Sequence, residues 1–438
     1  MRRDFPIKKL ESNLLNFGEL SFRIGIFFIS SVLPLAITFL LISLLISILE
    51  KKINLIKDKW NLVLITTFGL MLFSSIKILI ENFYDISVND KLIIIFNSFR
   101  WLILFILFPY FQIYLISQRQ RRILIKFLVA GGIPIILSCI MQYWLRIYGP
   151  FDLFYGLITW YNKPIITSTD GVSGLFSNQN YTGLWLSIIW PFCLTLFLEE
   201  KKSKLKKIFY FANLSFIFYF TIMTTSRSAL LGLIVSIPII LGLKFSLISL
   251  LLIIIFMVVI YYLNLYFGII NLSNFLIPNK LEVLFMKVVN GNLSDIGNFA
   301  RIKIWRNTIN LIWEKPFMGY GAGLFPLFYI FFDKYNAQHS HNFLLQIGFE
   351  YGIPTALILT LFTLVLLVKS AKKIFGGSAN NNLLNKSWFA ATLVATFSQL
   401  IDLTFLDGKI SVVILILLSG LKCIINETHS EKDLKATS

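Results

Sequence analysis

Apolar runs long enough to cross a bilayer recur along this chain. They fall at about 60–80, 92–116, 123–141, 181–198, 208–223, 229–243, 245–265, 343–368, 387–403 and 409–424. A spanning helix needs roughly 20 mainly apolar residues to traverse about 30 Å of hydrocarbon, where every backbone N–H and C=O must be paired internally. The pattern therefore predicts an all-α polytopic membrane protein. The composition agrees, with 57% hydrophobic and only 14% charged residues, where an ordinary soluble domain is about a quarter charged. The first apolar block, residues 24–49, reads either as one long tilted helix or as two short limbs broken near Pro34. Basic residues flank it on both sides, Arg2, Arg3, Lys8 and Lys9 before and Lys51, Lys52, Lys57 and Lys59 after, and short basic flanks stay cytoplasmic. A hairpin satisfies both, which brings the expectation to about twelve transmembrane helices.

The same rule orders the rest. Residues 1–22 form a cytoplasmic leader, and 23–265 hold transmembrane helices 1–9 with an outer loop at 142–180. Residues 266–342 form a large periplasmic loop, 343–425 hold helices 10–12, and 426–438 are a cytoplasmic tail. Basic loops at 118–126, 199–207 and 369–373 fall inside and the acidic 81–90 loop outside. The net charge of +18 is thus mainly a topological signal; nucleic-acid binding would need a basic face on a water-soluble fold. The leader lacks a short apolar core with a small-residue cleavage site, so it is expected to stay attached. Cys139, Cys193 and Cys423 lie in or near apolar runs without metal-like spacing and read as packing residues.

Chemistry is expected where outer segments converge. Arg227, within Thr224-Thr225-Ser226-Arg227-Ser228, stands at a helix end beside four hydroxyl residues, where its planar fork matches phosphate oxygens in pairs. The bland alternative is an arginine snorkelling to headgroups. Ile302, Trp305, Ile309 and Ile312 recur at helical spacing, predicting an amphipathic helix over about 299–314 on or near the membrane. Arg301 sits at the margin of its apolar face, where it can reach inward, whereas Lys303 and Arg306 read as solvated charge. The Gly319-Tyr320-Gly321-Ala322-Gly323 run lacks the strand and helix of a dinucleotide fingerprint and reads as a turn. Asn178 and Asn180 line a Gly- and amide-rich segment leading into a helix, either as polar cavity residues or as caps. His339-Ser340-His341-Asn342 is the strongest local case. An imidazole is the usual proton acceptor near neutral pH, and two at i and i+2 predict one base and one neighbour. With no nearby Cys and only Asp333 close in sequence, they make a poor zinc set, so no metal site is expected.

Four motifs taken in order carry a family resemblance. Gly174-Leu175-Phe176-Ser177-Asn178-Gln179-Asn180-Tyr181 is followed by Ser226-Arg227-Ser228-Ala229-Leu230-Leu231-Gly232. Trp305 through Pro316 to Gly319-Tyr320-Gly321-Ala322-Gly323 comes next, then His339-Ser340-His341-Asn342 with Glu350-Tyr351-Gly352-Ile353-Pro354. Together, over roughly 174–366, they resemble the O-antigen ligase and polymerase superfamily. The resemblance implies a GT-C-like membrane glycosyltransferase in a bacterial inner membrane, with no metal or other cofactor and a periplasmic site. Its donor would be a glycan on a polyprenyl diphosphate such as undecaprenyl diphosphate, and its acceptor the lipid A core or another glycan. Carried over, Arg227 and Arg301 hold the diphosphate. His341 is the base, with His339 as second choice, and inversion at the anomeric carbon is expected. Ser226, Tyr320 and Asn342, with Asn178 and Asn180, are further substrate-binding candidates.

Polymerase and protein O-oligosaccharyltransferase share this framework and differ in the acceptor. The rival from another class is a flippase for a lipid-linked saccharide, which should show two related halves and broken or charged helices at mid-membrane. No internal repeat is visible, and the polar groups gather on one face.

Overall fold

The computed structural model describes residues 4–50, 55–81, 87–167, 170–245, 247, 299–333, 337–376 and 382–427. Nearly all of the expected 245–265 span, and residues 266–298 of the large loop, lie outside the described residues. Among the described residues the regular structure is helical apart from one small hairpin. Helix α1 (Asp4–Phe28) runs through the segment expected as a leader. A turn at residues 29–32 then folds α2 (Leu33–Glu50) back against it, just before Pro34.

Helices α3 (Lys59–Glu81), α4 (Val88–Tyr110), α5 (Gln118–Gly131) and α6 (Ile133–Tyr143) follow. The hairpin comes next, β1 (Phe151–Leu153) paired antiparallel with β2 (Ile158–Trp160). Helices α7 (Gln179–Glu199), α8 (Lys204–Met223) and α9 (Arg227–Leu241) complete the first part. Within the large loop lie α10 (Phe299–Glu314) and α11 (Phe325–Asp333), and after it come α12 (Phe343–Tyr351), α13 (Ile353–Phe375), α14 (Leu383–Phe397) and α15 (Gly408–Asn426).

Seven stretches among the described residues are long and apolar enough to cross a membrane. They are Leu33–Glu50, Lys59–Ile80, Val88–Tyr114, Gln118–Tyr143, Gln179–Glu199, Ile353–Phe375 and Gly408–Asn426. The chain is a membrane protein. Large side chains such as Leu49, Ile80 and Phe96 stay exposed on the outside of the bundle, as they do when the surrounding solvent is hydrocarbon.

Two expectations need correction. The run at 343–368 is not one helix. Gly352 at φ +88° breaks it into α12 and α13, and a Cβ there would lie 2.2 Å from the Phe317 carbonyl oxygen. The Ile353 N–H instead donates to Pro316 O at 2.7 Å, so the segment of the large loop just after residue 314 plugs into the break. In α10 the buried side is Ile304, Thr308, Leu311 and Ile312, whereas Ile302 and Ile309 are exposed. This helix carries two apolar stripes, and the one that packs faces a small core of Tyr320, Phe325, Tyr329 and Phe349.

The two ends of the bundle differ chemically. At one end Arg121 pairs with Glu427 at 2.6 Å, Arg122 with Glu199 at 2.6 Å, and Lys422 with Asp58. Two of the basic loops expected on one side, 118–126 and 199–207, therefore meet at one end. At the opposite end lie the first turns of α7, α9, α12 and α15. Small residues set their spacing, as is usual where no aqueous hydrophobic effect drives helices together. Gly183 of α7 is one of them; a Cβ there would come within 2.9 Å of the Ser226 and Ala229 side chains, so glycine lets the start of α9 seat on α7.

Candidate functional site

The α14–α15 turn is built to present one carboxylate. Gln399 crosses it, accepting the Phe405 N–H at 2.8 Å while its amide donates to Thr404 Oγ1 at 2.8 Å and Ala395 O at 3.0 Å. From α4, Arg100 Nη2 donates to Phe405 O at 2.5 Å, and Trp101 stacks on the Phe405 ring at 5.3 Å. Arg100 is the thirteenth residue of α4, so this turn is held well down the helix from its first residue. Asp402, at the head of the turn, is buried.

Three elements distant in sequence converge on Asp402. His341 Nδ1 lies 3.0 Å from Oδ1. Asn180 Nδ2 donates to Oδ2 at 2.5 Å. Arg301 Nη2 lies 3.8 Å from Oδ2, with Nη1 donating to Ile401 O at 3.0 Å. Burial alone raises the carboxyl pKa, but the His341 hydrogen bond and the charges of Arg301 and the histidines outweigh it and hold Asp402 below its ordinary value. An ionised Asp402 only accepts, so His341 donates to it from Nδ1, and in the neutral imidazole that tautomer makes Nε2 the acceptor.

The histidine strand is locally strained. His341 adopts φ +56°, a left-handed conformation costly for a side chain of this size, and such outliers cluster at functional sites. Its N–H donates to His339 Nδ1 at 3.2 Å, and the two rings meet edge to face at 4.3 Å. Burial, with the nearby His341 and Arg301, pulls the His339 pKa down to about 4 against the opposing pull of Asp402, so this imidazole is neutral. Asn342 caps α12, accepting the Leu345 N–H at 3.1 Å, and its Nδ2 donates to Leu400 O at 2.9 Å. The histidine strand is thereby fastened to the Asp402 turn.

The first turn of α7 joins this cluster to Arg227. Asn178 is its cap, accepting the Asn180 N–H at 2.8 Å. Gln179 accepts the Gly171 N–H and reaches Thr225 Oγ1 at 3.4 Å, while Asn180 holds Asp402. Thr225 precedes Ser226, which is buried and bonded to Ser228 Oγ at 3.2 Å. Arg227 opens α9, exposed and with no hydrogen bond or ion pair among the described residues.

The structure therefore brings together Asn180, Arg301, His339, His341 and Asn342, and links Asn178, Ser226 and Arg227 to them through α7. Tyr320 lies elsewhere. It stacks on Phe349 at 4.9 Å and donates its hydroxyl to Glu314 at 2.6 Å. The glycine run around it is consumed by α12: Tyr320 N–H and Gly321 N–H donate to the Phe349 and Glu350 carbonyls, and Gly323 N–H donates to the Glu350 carboxylate. Lys303 pairs with Asp333 at 2.8 Å at the surface.

Sequence reasoning missed Asp402 as a site residue. The available signal was a carboxylate in a short outer turn between two apolar helices, where Asp407 caps α15 and Asp402 has no such local role, an expensive residue to keep there without a partner. Among the described residues no group of three His, Cys, Asp or Glu side chains is arranged to hold a metal ion.

Residues 212–360 match the O-antigen ligase family. The match supports the O-antigen ligase superfamily resemblance read from the motifs, and it spans about a third of the chain. It contains Arg227, Arg301, His339, His341 and Asn342, whereas Asn180 and Asp402 lie outside it. No curated protein is similar enough to the chain to register as a match. The O-antigen ligase-like character thus rests on the family match and on the apolar helices around it.

Proposed function

We propose that this protein is a glycosyltransferase of the O-antigen ligase type. It transfers a glycan from a polyprenyl diphosphate to an acceptor hydroxyl at the periplasmic face of a bacterial inner membrane. The observation that carries the reading is the Asp402 cluster, in which one carboxylate orients His341, faces Arg301 and is tied through α7 to Arg227, which has no partner among the described residues. Histidine with a free Nε2, and arginines with unspent donors, are the groups that glycosyl transfer from a diphosphate needs.

In the reaction the acceptor O–H gives its proton to His341 Nε2 as its oxygen attacks the anomeric carbon. The bond from that carbon to the diphosphate oxygen breaks with its electron pair, and the diphosphate leaves on the opposite face, inverting the centre. Arg227 and Arg301 stabilise the charge that develops on the leaving group. Asp402 keeps the His341 tautomer and stabilises the imidazolium that forms. His339, neutral and accepting the His341 N–H, fixes the strand rather than taking the proton. An apolar cavity lined by Trp101, Phe105, Phe343, Leu400 and Phe405 opens beside the cluster and suits the prenyl chain.

The test is transfer by purified protein in detergent from a polyprenyl-diphosphate glycan, with EDTA present, to lipid A core, glycan and peptide acceptors. Transfer that survives EDTA and fails in Arg227→Ala and His341→Ala supports the reading, and the acceptor used separates ligase, polymerase and protein glycosylation. Absence of transfer together with lipid scrambling in liposomes would overturn it in favour of a flippase.

A further inference from the structure

The β1–β2 hairpin puts apolar side chains where a water-facing loop would not. Phe154 is 75% exposed, Leu157 64%, and Tyr155 fully so. The hairpin does not dangle. Gly149 N–H donates to Asn162 O at 3.0 Å, Asn162 N–H to Gly174 O at 2.9 Å, and Trp160 Nε1 to Ser31 O at 2.8 Å. Its tip is also chemically odd. Phe154, Tyr155 and Gly156 take φ of +51°, +57° and +81°, positions that hairpin turns fill with Asn, Asp or Gly. Two aromatic side chains therefore sit at a conformational cost of roughly 1 kcal/mol or more each, with both rings left exposed rather than packed among the described residues.

What covers them is indicated by what they continue. The apolar span Gln118–Tyr143 ends just before this segment. The exposed face of α6, with Leu137 and Met141, runs on through Leu145 and Ile147 towards the hairpin tip. Asp152, the one acidic residue of the hairpin, is bonded to Thr159 Oγ1 at 2.7 Å, and Arg146 and Lys163 flank the strands exposed. Aromatic rings backed by cations at the end of a span are the composition of a membrane–water interface.

We propose that the β1–β2 hairpin is a lipid anchor, with its tip seated in the headgroup and upper acyl zone of the leaflet on the candidate site's side. Its root is the strand pair and Asn162, so the anchor is rigidly coupled to the segment that leads into α7. The proposal does not depend on the reaction proposed above.

The test places an environment-sensitive fluorophore on Tyr155→Cys, and separately on Phe154→Cys, in the full chain in lipid nanodiscs. The native cysteines are buried, and labelled wild type gives the background. A Lys202→Cys label in the exposed α7–α8 turn is the aqueous control. Nitroxide-bearing lipid should quench the tip labels by more than half while iodide quenches them several-fold less than the control. Iodide quenching equal to that at Lys202 would put the tip in water. Protection from both quenchers would mean a protein surface covers it. Either result overturns the proposal.

Discussion

Asp402→Asn tests the catalytic reading at its centre. The native carboxylate accepts from His341 Nδ1 at 3.0 Å with one oxygen and from Asn180 Nδ2 at 2.5 Å with the other. A carboxamide has a single acceptor oxygen, so one of those two donors must then face an NH₂ group. If it is His341, the imidazole can bond only by accepting at Nδ1, which moves its proton to Nε2 and removes the base. If it is Asn180, the α7 link opens and Arg301 loses its counter-charge. A general base contributes roughly 10²–10⁴-fold, and tautomer-inverting Asp→Asn changes reach about 10⁴. Because a diphosphate leaves readily without much help from the base, we expect a fall in kcat of about 10²–10³, or about 3–4 kcal/mol. The assay is single-turnover glycan transfer by Asp402→Asn, His341→Ala and the double variant. Residues acting as one unit are not additive, so the double variant should be within about threefold of His341→Ala. The reasoning is refuted by an Asp402→Asn enzyme that keeps a third of wild-type kcat, or by losses that multiply in the double variant.

Arg227→Ala should leave the melting temperature in detergent within a degree or two, as the side chain is exposed, yet reduce transfer more than His341→Ala does; equal or reversed losses would count against the arginine's role at the leaving group. His339 has its pKa depressed from 6.5 to about 4, so between those values the unfolded chain binds more protons than the native one. Stability is then full above about pH 6.5 and falls as the pH drops towards 4, and a His339→Asn variant should show a flatter melting profile across that window. Gly352→Ala should destabilise by about 2 kcal/mol or more, from the left-handed backbone and the clash with Phe317 O. Urea or thermal unfolding in detergent reads that loss, and a wild-type midpoint would refute the account of the break.

Hydropathy made most helices legible, because a bilayer leaves the backbone few alternatives. The α12–α13 break was written in Gly352-Ile353-Pro354, but a continuous apolar run hid it, since the φ that glycine takes there depends on the Phe317 carbonyl arriving from the outer loop. The buried side of α10 was ambiguous for a similar reason. Both of its stripes are apolar, and only the position of Phe349 and Tyr329 selects Ile304 and Leu311. The histidines and Arg301 stood out as polar groups in an apolar chain. Their partner did not: Asp402 lies 61 residues from His341 and 222 from Asn180, a pairing that no local pattern encodes. Tyr320 shows the converse, a residue of a recognisable motif whose hydroxyl is spent on Glu314.

The grip of Arg100 on the Asp402 turn also sets a depth. Roughly 18 Å of α4 rises past Arg100 at 1.5 Å per residue, and there α3 and α4 are capped by the outer loop through Ser74 and Met318 and through Ile94 and Leu324. On this side the cluster thus has a wall of α3, α4 and the loop beside it, and under the proposed reaction an acceptor that comes over that wall carries its hydroxyl down on an arm. Selection by reach follows. Acceptors bearing the same terminal sugar on progressively shorter spacers should lose rate abruptly once the arm no longer spans the wall, whatever their affinity in solution.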